Sequence, residues 1–337
     1  MVTQLVTRKE VDQARLLVEN NGLSFEPEVD DLVGAFEEGR LAGVGARRGN
    51  ILKMLVIRPD LQHGSLLGEL VTELIRSGSR AGIETFFVFT RPENAASFRA
   101  LNFAPLATRP AAVLLEYGEG IATYLGRHRD RVRPGTNGAV VANCNPFTLG
   151  HRYLVEEAAC RVDTLYLFVV REERSAFPFA DRLRLVREGT QDLKNVIVLD
   201  SSHYAVSAVT FPAYFLKAEE SAARLQMEID LTLFGRHIAP FFSIARRFVA
   251  AEPHCRTTRL YNETMQDILP PYGVEAVVMK RKMLNGEPIS ASQVRRAIRR
   301  EAFESVRRMV PAPTFDFIMS EAGRAVRRRL SGQERRH

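Results

Sequence analysis

The sequence predicts an α/β protein of two domains, and three observations carry that reading. At 337 residues the chain exceeds one typical domain. An apolar fraction of 45% is enough for real cores. From Gly138 onward short β-branched apolar runs alternate with amphipathic helical segments, the pattern of a parallel sheet covered by helices on both faces.

Helical spacing runs over Val11–Asn20. Arg40–Ala46 and Ile51–Ile57 alternate as a strand pair around Arg48-Gly49-Asn50, and Leu66–Ser77 follows as a helix. Ile83–Thr90 is a strand rich in aromatic and β-branched residues, and Ala95–Leu101 a helix. Residues 1–125 thus form one α/β unit. Residues 126–137 concentrate arginine, proline and glycine and read as a linker, and 138–337 form the second domain. There the expected order is strand 138–143, helix 149–161, strand Thr164–Val170, helix Pro178–Leu193 and strand Val196–Leu199. An inserted helical region, strand Val274–Met279 and a helix opened by Ser290-Ala291-Ser292 complete it.

The stretch Asn137–Ala159 concentrates the chemistry. A short strand ends in Asn143-Cys144-Asn145-Pro146, which forces a turn, and Phe147-Thr148-Leu149-Gly150-His151 leads into a helix. Thr148, Gly150 and His151 therefore meet at a helix N-terminus, where unpaired N–H groups and the helix dipole favour an anion such as a nucleotide phosphate. Gly150 would let the phosphate approach, and Thr148 and His151 would reach it from one side. A second constellation, Ile289-Ser290-Ala291-Ser292-Gln293-Val294-Arg295 preceded by Arg281-Lys282, offers hydroxyls and cations at another helix start. Alone it reads as an ordinary capped helix. Paired with the first, it reads as the grip on a second phosphate group.

The formal charge of +7 and pI near 9.5 point to an anionic ligand or partner. Arginines gather at Arg127, Arg129, Arg131 and Arg133 and at the end, in Arg324, Arg327, Arg328, Arg329, Arg335 and Arg336. No aromatics interleave with them to stack bases, so nucleic acid is set aside. Cys144, Cys160 and Cys255 lack pairing or zinc spacing, so no metal site is expected. With no bilayer-length apolar run and no signal-like start, a cytoplasmic protein without a membrane segment is expected.

T-x-G-H followed far downstream by I-S-x-S-x-x-R resembles the nucleotidyltransferase superfamily. More specifically, NPFTLGHRYLVEEA, then VVREERSAFPFADRLRLVREGTQDLKNVIVL, TFPAYFLK and ISASQVR resemble the citrate lyase ligase family. Residues 1–125 are similar to the GNAT acetyltransferase fold. There the loop Gln62–Gly68 spaces its glycines too widely and puts Leu66 where a second glycine belongs, so it reads as scaffold and not as a working acetyl-CoA site. The resemblance implies a GNAT-like α/β domain followed by a Rossmann-like, parallel-sheet nucleotidyltransferase domain. It also implies a ligase that uses ATP with Mg²⁺ to activate acetate as acetyl-adenylate and acetylates the thiol arm of the citrate lyase acyl carrier subunit. By this resemblance His151, Thr148 and Arg295 are catalytic. Asn143, Asn145, Pro146, Phe147, Gly150, Arg281, Lys282, Ser290 and Ser292 join them in holding the nucleotide, with the choice between Arg281 and Lys282 open.

Arg171 and Arg174 follow the second strand, and Ser201–Pro212 the third, at the edge where substrate would bind. Arg171, His203, Tyr204 and Ser207 are the substrate candidates, with Lys217 nearby. Asp181-Arg182 reads equally well as a surface ion pair. An adenylyltransferase acting on a mononucleotide or phosphopantetheine, or a non-catalytic nucleotide sensor, would use the same phosphate grip.

Overall fold

The computed structural model describes residues 2–62, 64–118, 120–172, 175–205, 219–252 and 256–332. The chain divides into two compact units. One takes residues up to Arg127 together with the helix Glu219–Leu233, and the other takes His128–Ala205 and Phe234 onward.

The first unit runs β1 (Val2–Gln4), α1 (Arg8–Asn20), β2 (Asp31–Glu37), β3 (Arg40–Arg48), β4 (Ile51–Ile57), α2 (Leu66–Arg80) and β5 (Thr85–Thr90). It continues with α3 (Ala95–Ala100), β6 (Ala104–Arg109), β7 (Ala112–Gly118) and α4 (Gly120–Gly126). Its seven strands are ordered β1-β2-β3-β4-β5-β7-β6. β4 and β5 are parallel and pair only at Ile51–Phe87 and Leu52–Val88, and the other neighbours are antiparallel. β2, β6 and β7 escape the sequence reading. Gly34 interrupts the apolar run of β2, and a turn of only Pro110 and Ala111 joins β6 to β7.

The second unit runs β8 (Asn137–Ala142), α5 (Leu149–Ala159), β9 (Thr164–Val169), α6 (Phe179–Glu188) and β10 (Val196–Asp200). After α7 (Glu219–Leu233), which belongs to the first unit, come α8 (Ala239–Phe241), β11 (Ile244–Ala250), α9 (Arg256–Ile268) and β12 (Glu275–Met279). A hairpin of β13 (Met283–Leu284) and β14 (Glu287–Pro288) leads to α10 (Ala291–Arg299), α11 (Phe303–Arg307), α12 (Ala312–Met319) and α13 (Glu321–Gly332). Five strands form an all-parallel sheet in the order β10-β9-β8-β11-β12. The order reverses between β8 and β11, and the carboxyl edge at such a switch is where open α/β sheets bind ligands.

Three expectations change. Residues 138–337 are not one domain, because α7 is buried on nearly every side from Leu225 to Leu233 and packs against β6 and β7, where Glu228 pairs with Arg109 at 3.2 Å. Residues 126–137 are not a free linker. The Arg133 N–H donates to the Tyr166 hydroxyl, which itself donates to the Arg131 carbonyl, and Asn137 already belongs to β8. The inserted region also contains β11, whose Arg246-Arg247 pair hides the strand from an apolar pattern search; Arg247 is buried, its Nη2 on the Tyr261 hydroxyl at 2.6 Å and its guanidinium over the Phe234 ring.

Two of the second unit's apolar clusters lie beside the site. Val140, Phe147, Leu154, Val155, Leu165, Leu167 and Phe248 fill the space under α5. Ile289, Val294, Ile298, Phe315 and Phe317 join Phe177 and Leu185, which seats α10 against α6. A fully buried phenylalanine such as Phe147 contributes about 2–3 kcal/mol.

Candidate active site

The carboxyl end of β8 runs through Asn143–Phe147 into α5, whose first turn is closed by a reciprocal cap. The Thr148 hydroxyl accepts the His151 backbone N–H at 3.2 Å, and His151 Nδ1 accepts the Thr148 backbone N–H at 3.1 Å. Because Nδ1 is the acceptor, the network assigns the ring proton to Nε2, which the cap leaves over as a donor. Burial, and then the nearby positive charge of Arg281, push the His151 pKa down to about 4, so the ring is neutral at physiological pH. The Phe147 ring lies parallel to the imidazole with centroids 6.0 Å apart.

The other residues of the turn are placed as follows. Thr148 is 1% exposed, and its hydroxyl is engaged in the cap, so it orients His151. Phe147 and Pro146 are buried, Phe147 in the core, and both brace the turn from inside. Gly150 is needed for packing, since a Cβ there would stand 2.7 Å from the Ile289 carbonyl oxygen.

That carbonyl belongs to the second constellation, which folds directly against the first. Ser290 caps α10 by accepting the Gln293 N–H at 3.2 Å, while Gln293 Oε1 accepts the Ser290 N–H at 2.9 Å and its hydroxyl at 3.2 Å. Arg295 Nη1 donates to the Asn145 carbonyl at 2.6 Å, across 150 positions of sequence, and Nη2 to the Ser292 hydroxyl at 3.3 Å. The Leu149 N–H donates to the Met309 carbonyl at 2.9 Å, tying α5 to the C-terminal helices. Burial, followed by Arg299 and Arg296, lowers the Arg295 pKa, which still leaves the guanidinium charged. Arg281 Nη1 pairs with Glu252 at 2.7 Å, and its Nη2 donates to the Ile289 carbonyl at 3.2 Å. Lys282 is exposed, and its carbonyl accepts the Ile289 N–H.

Behind the turn stands Arg182. It is 0% exposed, so the surface-pair reading is corrected; its neighbour Asp181 pairs with Arg184 at 3.3 Å. Arg182 Nη1 reaches the Asn143 carbonyl at 2.6 Å, the Asn143 Oδ1 at 2.7 Å and the Val170 carbonyl at 2.8 Å. Nε reaches the Phe177 carbonyl at 3.0 Å, and Nη2 the Glu172 carbonyl at 2.9 Å. Asn143 Nδ2 donates to the Ser175 hydroxyl at 3.2 Å, and Asn145 Oδ1 accepts the Phe177 N–H at 3.1 Å. The available signal was helical spacing, since Arg182 shares the buried face of Phe179, Leu185 and Val186. Glu252 and Ser175 carried no such signal.

Among the substrate candidates, Arg171 follows β9 at the carboxyl edge, pairs with Asp200 at 2.5 Å and lies 4.6 Å over the Phe179 ring. His203 is exposed, whereas Tyr204 is buried. Ser207, Arg174 and Lys217 lie outside the described residues. Of the C-terminal arginines, Arg327 donates to the Ile318 and Ser320 carbonyls, and Arg329 to those of Ser175 and Ala176. Part of the basic tail is therefore structural. Among the described residues no group of three acidic, histidine or cysteine side chains stands ready to hold a metal, and no helix is long and apolar enough to cross a membrane.

The result is two helix N-termini, a neutral imidazole N–H, a serine hydroxyl and two guanidinium groups around one strand end, a set that suits a polyphosphate. Comparison with known proteins places the chain in a family. The profile of the citrate lyase ligase C-terminal domain matches residues 137–318. [Citrate [pro-3S]-lyase] ligase of Klebsiella pneumoniae is 40% identical over 307 residues, 89% of this chain and 90% of that one. The Escherichia coli protein of the same name is 35% identical across 93% of this chain and 91% of its own, and the Haemophilus influenzae one is 32% identical across 92% and 96%. Matched along most of its length, and through both the 148–151 and the 290–295 segments, the chain belongs to the citrate lyase ligase family.

Proposed function

We propose that this chain is an ATP-dependent acid–thiol ligase that activates acetate as acetyl-adenylate and transfers the acetyl group to the thiol of the citrate lyase acyl carrier subunit. The observation that carries the reading is the direct bond from Arg295 to the carbonyl of Asn145, because it joins the two anion-binding helix starts into one grip. Acetate is already a nucleophile at neutral pH, so adenylation needs in-line positioning and charge neutralisation more than a base. An acetate oxygen attacks the α-phosphorus, the bond to the bridging oxygen breaks, and pyrophosphate leaves. The carrier thiol, its proton lost to solvent or a nearby base, then attacks the acetyl carbonyl and AMP departs.

In this reading His151 Nε2–H donates to an α-phosphate oxygen as charge accumulates there. Its neutral state makes it a constant donor. Arg295, Ser292 and Arg281 hold the β- and γ-phosphates; Arg281 is preferred to Lys282 because its guanidinium is anchored beside Ile289 and its charge is felt at His151. Thr148 and Ser290 keep the two helix starts in shape. Arg171 and His203 stand for the acetate and carrier side at the carboxyl edge. The donors around the turn are cationic or neutral, so the described residues do not form a magnesium cage, and no step is assigned to Mg²⁺ beyond its arrival with ATP. A cytoplasmic setting suits a reaction that needs ATP and a reduced thiol.

The first unit serves as scaffold. At the start of α2 the Ser65 hydroxyl donates to Glu69 at 2.7 Å, which sets a carboxylate beside the turn whose backbone amides a coenzyme pyrophosphate would need. The decisive experiment is ATP–pyrophosphate exchange in the presence of acetate, nicotinamide mononucleotide or phosphopantetheine in turn. Acetate alone should support exchange; exchange indifferent to acetate would overturn the assignment.

A further inference from the structure

The nucleotide-binding turn depends on a residue that does not line it. β8 and β9 end at Ala142 and Val169, and the chain beyond them has carbonyl groups that no neighbouring strand can pair. Five oxygens there, four of them backbone carbonyls, converge on the guanidinium of Arg182, which reaches them from the apolar face of α6. An apolar side chain would fill the space but leave those carbonyls unpaired. A lysine would bring its donors from a single atom, where the planar fork spreads them over three nitrogens.

We propose that Arg182 is a positioning residue for adenylation: its buried fork fixes Asn143 and the ends of β8 and β9, so that the turn presents Asn145 and His151 to the nucleotide in one arrangement. The inference rests on the adenylation reading above. The turn is then clamped by two arginines. Arg182 grips Asn143 from within, and Arg295 grips the Asn145 carbonyl from the second helix. Asn143 is the relay, since its exposed side chain bonds both Arg182 and Ser175. Misplacing reacting groups by about 1 Å costs roughly a hundredfold in rate, whereas ground-state binding through many contacts suffers less.

The test uses full-length Arg182→Lys, Asn143→Ala and the double variant, with melting temperature, MgATP calorimetry, and kcat and KM for acetate-dependent exchange as readouts. The expected result is a kcat loss of roughly tenfold to a hundredfold in Arg182→Lys, with MgATP affinity within about threefold of the parent. Asn143→Ala should lose kcat in the same direction, and the double variant should be no worse than the weaker single one. Wild-type kcat in a folded Arg182→Lys, or losses that multiply in the double variant, would overturn the proposal. If Arg182→Lys does not fold, the exposed Asn143→Ala decides, and wild-type kcat there overturns it. A parent enzyme that shows no acetate-dependent exchange would sink the adenylation reading instead.

Discussion

The starts of α5 and α10 are built alike and do different work. Each opens with a hydroxyl residue in extended backbone conformation, and each closes a reciprocal cap with the side chain three positions on, His151 in one and Gln293 in the other. Gln293 uses its oxygen on Ser290 and its nitrogen on Glu287 at 2.9 Å, so both ends of its amide are engaged. The imidazole of His151 serves the cap through Nδ1 and still has Nε2–H on its far side. On the proposed function the same local device is structural at α10 and reactive at α5, and α10 contributes through Arg295, one turn later.

The sharpest way to break this comparison is at His151. His151→Ala should lower acetate-dependent exchange roughly 10²–10³-fold, the usual weight of a donor aimed at developing charge. His151→Gln would make α5 a copy of α10, and should keep the melting temperature while remaining as inactive as the alanine variant. Activity in His151→Gln would show that the cap alone suffices.

Arg295→Ala should cost roughly tenfold to a hundredfold in kcat/KM for ATP, because it removes one of the cations proposed to hold phosphate and the bond to Asn145. Arg295→Lys should recover little, since a single ammonium cannot reach the Asn145 carbonyl and Ser292 as a fork does. Full recovery in steady-state assays would reduce the bond to simple charge.

The two caps themselves separate the roles more finely. Thr148→Ala and Ser290→Ala should each lose about 1 kcal/mol in denaturant titrations. Only Thr148→Ala should also lower kcat, roughly severalfold, because its cap partner is the imidazole proposed to act in catalysis. Equal kinetic losses in both would erase the distinction.

An effect of similar size concerns pH. His151 has an ordinary pKa of 6.5 that folding lowers to about 4, so below pH 6.5 the unfolded chain takes up a proton that the native state refuses. Stability from this group is full above pH 6.5 and is lost as pH falls toward 4. Between pH 7 and 5 the parent should lose about 1–2 kcal/mol more than His151→Gln, measured by urea titration. The exchange rate should show no His151 inflection over that interval, and an inflection near 6.5 abolished by His151→Gln would contradict a neutral donor.

Much of the site was legible in the sequence. Thr148, Gly150 and His151 at a strand-to-helix turn, and Ser290, Ser292 and Arg295 at another helix start, are local patterns, and local patterns survive folding. Roles within them were less legible. Gly150 suggests room for phosphate, and folding adds the Ile289 carbonyl beside it; Thr148 suggests a ligand, and folding adds the cap that its hydroxyl closes. Asp181-Arg182 read equally well as a surface ion pair and as part of the matched segment; the packing of α6 shows that the face Arg182 shares with Phe179 and Leu185 is buried. Likewise, α7 follows the second sheet's strands in sequence, yet it packs on the first sheet. A helix buried all round carries no mark of which sheet it covers.

The sequence by itself determined the alternation of strands and helices, the two capped helix starts and the family to which they belong, because each depends on residues close together in the chain. The tertiary structure decided the strand order that turns back between β8 and β11, the meeting of Arg295 with Asn145 across 150 positions, and the burial of Arg182. The reason is physical: pairing of distant strands and burial of a charge depend on which surfaces close over one another, and that closure is a property of the whole fold.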